Sequence, residues 1–185
     1  QNFNGNFNIA YLMPSENGTP AGEGDCTLVL SGVPDNKWRV EKTGEYEIQV
    51  DMQEMKVKFT LIKELWSDIW MVGDATTGGW ESNPFQIKLT YDSSNSIKGY
   101  PGVFYFDGPF TEGEFKFPLE ERTFEVPYLM PVNVGSDGLQ QLPGDGETCD
   151  IEYVERYGPD HKWKVSAEQA GDYRLIIDTD KMTMT

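Results

Sequence analysis

The stretch "GDYRLIID" (Gly171–Asp178), with its near-copy "GEYEIQVD" (Gly44–Asp51), decides how this chain is read. Behind a glycine, apolar and polar residues alternate with period two, the pattern of a half-buried β-strand. The same pattern recurs in "EMKVKFTLI" (Glu54–Ile62), "FQIKLTY" (Phe85–Tyr91) and "EFKFPL" (Glu114–Leu119), and each run ends in turn-forming residues. Helix signals are scarce. Many short strands with frequent turns predict an all-β, antiparallel fold of the β-sandwich kind.

Working outward, the two copies extend in both directions. "YLMP" stands at Tyr11–Pro14 and again at Tyr128–Pro131. "PDNKWRV" (Pro34–Val40) matches "PDHKWKV" (Pro159–Val165), and Met55 and Met182 follow at the same spacing. Cys26 and Cys149 fall at similar places. Ordered anchors at nearly constant offset signal an internal duplication. The copies are unequal, because residues 1–62 match only 118–185, and 64–117 occur once. The expected organisation is a rear half-module at 1–62, followed by one complete module at 63–185. The alternative is an exchange, in which 1–62 completes 64–117 and 118–185 stands alone. Some sixty residues of half-module leave open strand edges, so this piece is expected to pack on its neighbour or on another chain, or to be completed by sequence upstream.

Composition narrows the function. The net charge is -16 with no basic stripe, which argues against nucleic acid and anionic membranes but not against neutral ligands. Two distant cysteines and a single histidine, His161, predict no metal site and no cofactor. With one cysteine in each copy, two free, buried thiols are expected rather than a disulfide. No apolar run is long enough to span a bilayer.

"IWMVGDATTGGW" (Ile69–Trp80) imitates a phosphate-binding loop, since Gly73 and Gly78 lie five residues apart. Such a loop needs a lysine and a hydroxyl after its last glycine, and a helix to receive the phosphate. Here Gly79 and Trp80 follow, then Pro84. The stretch reads instead as a strand entering a turn that brings Trp80 to or near the surface. Acids are numerous, but no spacing selects a catalytic pair. His161 sits in a polar turn, where a solvated ring is expected. No enzyme is predicted.

"GDATTGGW" (Gly73–Trp80), "GVFYFDGPFTEGEFKF" (Gly102–Phe117) and "PDHKWKV…GDYRLIID" together resemble the modules of the SusE/SusF outer-membrane starch-binding lipoproteins of gut Bacteroidetes. The resemblance implies tandem immunoglobulin-like sandwiches that bind glycans without cleaving them. It implies a lipid-anchored position on the cell surface, beside a SusC/SusD-type transporter complex. It also implies a sugar platform at Trp80, a hydroxyl-binding lysine at Lys116, a second aromatic at Phe124 or Tyr128, and further polar contacts from Arg156 or Arg122. The ligand class would be a neutral oligo- or polysaccharide.

The residues themselves allow that chemistry. An indole stacks on the apolar face of a sugar, and a lysine donates to its hydroxyl rim. Within "EFKF", Phe115 and Phe117 point one way and Lys116 the other. If the phenylalanines are core, Lys116 lies on the outer face, as a ligand contact or as an ordinary solvated lysine. Trp66 and Trp70 lie four apart and are expected to share one core face. Trp38 and Trp163, present in both copies, read as structural, and Tyr46 and Tyr173 as core or corner residues. Tyr153, Arg156 and Tyr157 form either a second wall of the site or a loop anchor. The competing function is a spacer or assembly module of the same outer-membrane complex, without a sugar site of its own.

Overall fold

The computed structural model describes residues 10–30, 34–81, 84–91, 96–97 and 100–185. The secondary structure among them is all β, apart from one short 3-10 turn at Ala167–Gln169. The chain divides into two compact units, one ending at Leu65 and the other running Trp66–Thr185.

The second unit holds two main sheets. The larger has seven strands in the order Phe117–Pro118, Tyr128–Pro131, Cys149–Val154, Thr183–Met184, Gly171–Asp178, Val103–Phe110, Thr90–Tyr91, all antiparallel to their neighbours. The smaller has Gly113–Phe115, Lys162–Val165 and Leu139–Gln141. Its last two strands run parallel, against the antiparallel expectation. The Cys149–Val154 strand, lying in the other sheet, provides the crossover, so no helix is needed to bring two strands into the same direction.

One cluster of buried residues draws on both sheets. Trp163, Val165 and Phe115 come from the smaller sheet, and Phe104, Phe110, Leu129, Ile151, Leu175 and Ile177 from the larger. Trp163 is sealed from solvent, stacked on Phe115 at 5.6 Å and tilted against Phe117 at 5.0 Å. Burying each such side chain stabilises the fold by about 1.5–3 kcal/mol.

The segment Gly113–Pro118 changes sheets partway. Its first three residues pair with Lys162–Val165, and Phe117–Pro118 pair with Tyr128–Leu129. Lys116 stands at the switch, exchanging both backbone hydrogen bonds with Val72. This is the role of the "GDATTGGW" turn. Gly73 takes φ +148°, and a Cβ there would lie 2.0 Å from the Glu114 carbonyl oxygen, so only glycine fits. The Asp74 carboxylate accepts from the Glu114 N–H at 2.8 Å, which locks the turn onto the strand.

The first unit follows the same path. Its sheet order is Tyr11–Pro14, Glu23–Val29, Lys56–Glu64, Gly44–Asp51, with a parallel pair Thr19–Pro20 and Trp38–Arg39 beside it. The hairpin turns also match. Asp51 accepts from the N–H groups of Gln53 and Glu54, as Asp178 does from Asp180 and Lys181. Met55 and Met182 then adopt φ of 53° and 54°. The tyrosines are corner residues in both copies, since the Tyr46 hydroxyl donates to the Lys42 carbonyl at 2.8 Å and Tyr173 to Gln169 at 2.7 Å.

Three expectations change. The Cys26 N–H donates to Met55 and that of Ile151 to Met182, so Cys26 is the counterpart of Ile151 and not of Cys149. Both thiols are free; Cys26 is buried and Cys149 half-buried. Trp66 and Trp70 do not share a face. Trp66 packs against the main core and stacks on Tyr153, whereas Trp70 joins Val72 and Phe85 in a separate cluster. Residues 65–69 are not a strand, so alternation does not carry across them. His161 is half-buried rather than solvated, with its Nδ1 buried.

Candidate functional site

Alternation puts Lys116 opposite the core phenylalanines, on the outer side of the strand, as its neighbours require. It is nevertheless buried, at 7 % exposure. Its ammonium lies 4.1 Å from the centre of the Tyr128 ring and 5.8 Å from that of Phe124. It donates to the Asp160 carboxylate at 2.6 Å. A buried ammonium needs such a partner, because its desolvation otherwise goes uncompensated. Lys162 approaches the other carboxylate oxygen at 3.0 Å and Glu114 at 3.6 Å, so Asp160 ties two lysines together.

These groups line a shallow cleft of about 160 Å³ with Phe124, Tyr128, Glu155 and Tyr157 on its walls. Each wall has a local cause. Phe124 meets Phe85 edge-on at 5.5 Å, and Phe85 belongs to the Trp70 cluster. The Tyr128 hydroxyl donates to the Phe124 carbonyl at 2.9 Å, which fixes the loop that carries this ring. Tyr157 sits at φ +65° in a tight turn closed by the Gly158 N–H on the Glu155 carbonyl. A tyrosine rarely takes that conformation, and strain of this kind tends to collect at functional positions. Its hydroxyl reaches Glu125 at 3.3 Å.

The electrostatics follow from burial and pairing. Burial pushes the Tyr128 hydroxyl well above the usual phenol range, and the Asp160 charge adds to this. Partial burial works against ionisation of Asp160, yet bonds from Lys116 and Lys162 outweigh it and hold the carboxyl below its ordinary value. Burial likewise opposes the Lys162 charge, while Asp160 and Glu114 raise its affinity for the proton. The cleft is thus a fixed ion-pair floor under two solvent-facing rings, Phe124 at 41 % and Tyr157 at 79 % exposure.

The structure brings three of the expected site residues together: Lys116, Phe124 and Tyr128. Trp80, at 37 % exposure, and the exposed Arg156 do not line this cleft. Arg122 is exposed, 3.6 Å from Glu121. Two contributors, Asp160 and Glu155, escaped sequence reasoning. No local signal pointed to Asp160, since a lysine alternating with core phenylalanines takes the opposite face and can simply be solvated, and the carboxylate that pairs with it stands 44 residues away.

A larger depression of about 250 Å³ lies elsewhere, between the Leu142–Glu147 loop and the Gly171–Asp178 strand. The aromatics on its wall are the buried Phe110 and the half-buried Tyr173, whose hydroxyl is already engaged. Among the described residues no group of three or more His, Cys, Asp or Glu is placed to hold a metal ion, and no helix is long and apolar enough to cross a membrane. Comparison of the chain with known family models, with characterised proteins and with solved structures finds no match.

Proposed function

We propose that this chain is a non-catalytic carbohydrate-binding protein of a surface polysaccharide-uptake system, built from tandem immunoglobulin-like β-sandwich modules of which the first is partial. The observation that carries the reading is the Lys116 cleft. Two aromatic rings face solvent there above a carboxylate that two lysines hold ionised. A pyranose offers an apolar C–H face and a rim of hydroxyls, so rings take the face, while Asp160 and Glu155 accept from the rim. The cleft is smaller than the roughly 300–1,000 Å³ of an enclosing ligand pocket, which favours one or two rings held weakly on a platform. A net charge of -16 favours neutral over acidic glycans.

The module type is supported by the tyrosine that bonds to the carbonyl four residues upstream in each copy, a corner arrangement found in immunoglobulin-like sandwiches. The motif resemblance to SusE/SusF-type lipoproteins supports a lipid-anchored position at the outer membrane, beside a SusC/SusD-type transporter. Trp80 is a second, separate platform on this reading. The competing role, a spacer or assembly module, draws support from the apolar side chains that the first unit exposes.

Native electrophoresis in gels that each contain one soluble polysaccharide tests the proposal. Retardation by a neutral polysaccharide is expected, with Phe124→Ala and Tyr157→Ala removing it and circular dichroism unchanged. If Trp80→Ala alone removes it, the cleft is not the site. No retardation across the panel would sink the carbohydrate reading and leave the assembly role.

A further inference from the structure

The two units place the same side chains in different surroundings. Val40, Ile48 and Val50 are 54 %, 56 % and 45 % exposed. Their counterparts Val165, Leu175 and Ile177 are 0 %, 3 % and 0 % exposed. The equivalence rests on hydrogen bonding as well as sequence, because Val50 pairs with Val57 as Ile177 pairs with Met184. In the second unit Val165, Leu175 and Ile177 share one buried cluster with Met71, Leu89, Phe104, Phe110 and Phe115. The strands carrying these three phenylalanines also occupy two strand edges. Val103–Phe110 pairs along Gly171–Asp178, and Gly113–Phe115 along Lys162–Val165. In the first unit, among the described residues, Gly44–Asp51 and Trp38–Arg39 each have a partner on one edge only.

We propose that the open face of the first unit is a docking surface for an aromatic-rich half-module other than residues 64–117, one that carries Lys or Arg opposite Glu47 and adds an antiparallel strand along Gly44–Asp51. An unpaired edge with an apolar face beside it binds strands by this route. The charges select the partner. Directly opposite Asp107 in the second unit stands Arg174, which holds it through two 2.6 Å bonds. The first unit has the exposed Glu47 at the Arg174 position. A second copy of this chain would bring Asp107 against Glu47, and like charges directly opposite destabilise a strand pair. The occupant therefore carries Lys or Arg at that register, and apolar residues on alternate positions. The net charge of -16 likewise opposes self-association.

The probes are two synthetic peptides of residues 102–117, one with the native sequence and one with Asp107→Arg, each added in excess to the full chain. Amide exchange is read along Gly44–Asp51. The Asp107→Arg peptide is expected to slow exchange there at about threefold lower concentration than the native one. The exposed substitution Glu47→Arg in the chain should reverse that order. No protection by either peptide, or protection indifferent to both charge changes, overturns the proposal. Sedimentation of the unliganded chain as a dimer that protects this strand would also overturn it, making a second copy the occupant. None of these outcomes depends on whether the chain binds glycans.

Discussion

Removing Asp160 should cost more stability than removing the lysine it serves. The Lys116 side chain is 9 % exposed and that of Asp160 60 %. Breaking a fully buried pair by deleting one partner costs about 3–5 kcal/mol, because the other charge is stranded. Exposed pairs are worth about 0–1 kcal/mol. With one end buried and the other wet, Asp160→Asn should cost about 1–2 kcal/mol, since it leaves the Lys116 ammonium against Tyr128 without a counter-charge. Lys116→Met has opposing effects. It loses a cation–ring contact of about 0.5–2 kcal/mol, but fills the same space beside Tyr128 and Met130 with an unbranched apolar chain. It strands nothing, because Asp160 keeps Lys162 at 3.0 Å and its own access to water. Its net effect should stay within about 1 kcal/mol of zero. The double variant should recover most of the Asp160→Asn loss, a coupling that only neighbours show. Urea unfolding followed by tryptophan emission reads all three, with Trp163 as reporter of the core. Asp160→Asn matching the native midpoint, or Lys116→Met falling below Asp160→Asn, would refute the account.

Two further outcomes follow from burial and ionisation. Trp163→Ala should cost about 3–5 kcal/mol, whereas Trp38→Ala, from a half-buried ring whose aromatic neighbour is Phe59 at 5.5 Å, should cost less than half as much by calorimetry; equal losses would contradict the difference in packing. The Asp160 and Asp178 carboxyls are held below their ordinary value by lysine and, for Asp178, backbone donors that outweigh partial burial. Their stabilisation is therefore complete above about pH 5 and is lost progressively as pH falls through and below the ordinary carboxyl value, so the urea midpoint should drop between about pH 5 and pH 3, and drop less in Asp178→Asn; a midpoint flat over that window counts against it.

The all-β character and the duplication were legible from the chain alone. Period-two alternation is a local property, and in "EFKF" it correctly assigned Phe115 and Phe117 to the core and Lys116 to the other side. The glycine turn was legible in kind, because the residues after Gly78 exclude a phosphate loop. Only the tertiary structure supplied the use of that turn, a clasp in which Asp74 grips the strand at Glu114. It also decided that Lys116 is buried, because Asp160 lies 44 residues away in sequence and 2.6 Å away in space. The cleft that unites Lys116, Phe124 and Tyr128 with Tyr157 arises where a strand changes sheets, and Trp80 falls outside it. Nor did sequence equivalence imply equal burial, since Ile48 and Leu175 occupy matching positions yet differ from 56 % to 3 % in exposure. Alternation states which face a side chain takes. What covers that face depends on residues far along the chain, and that is a matter of packing rather than of local pattern.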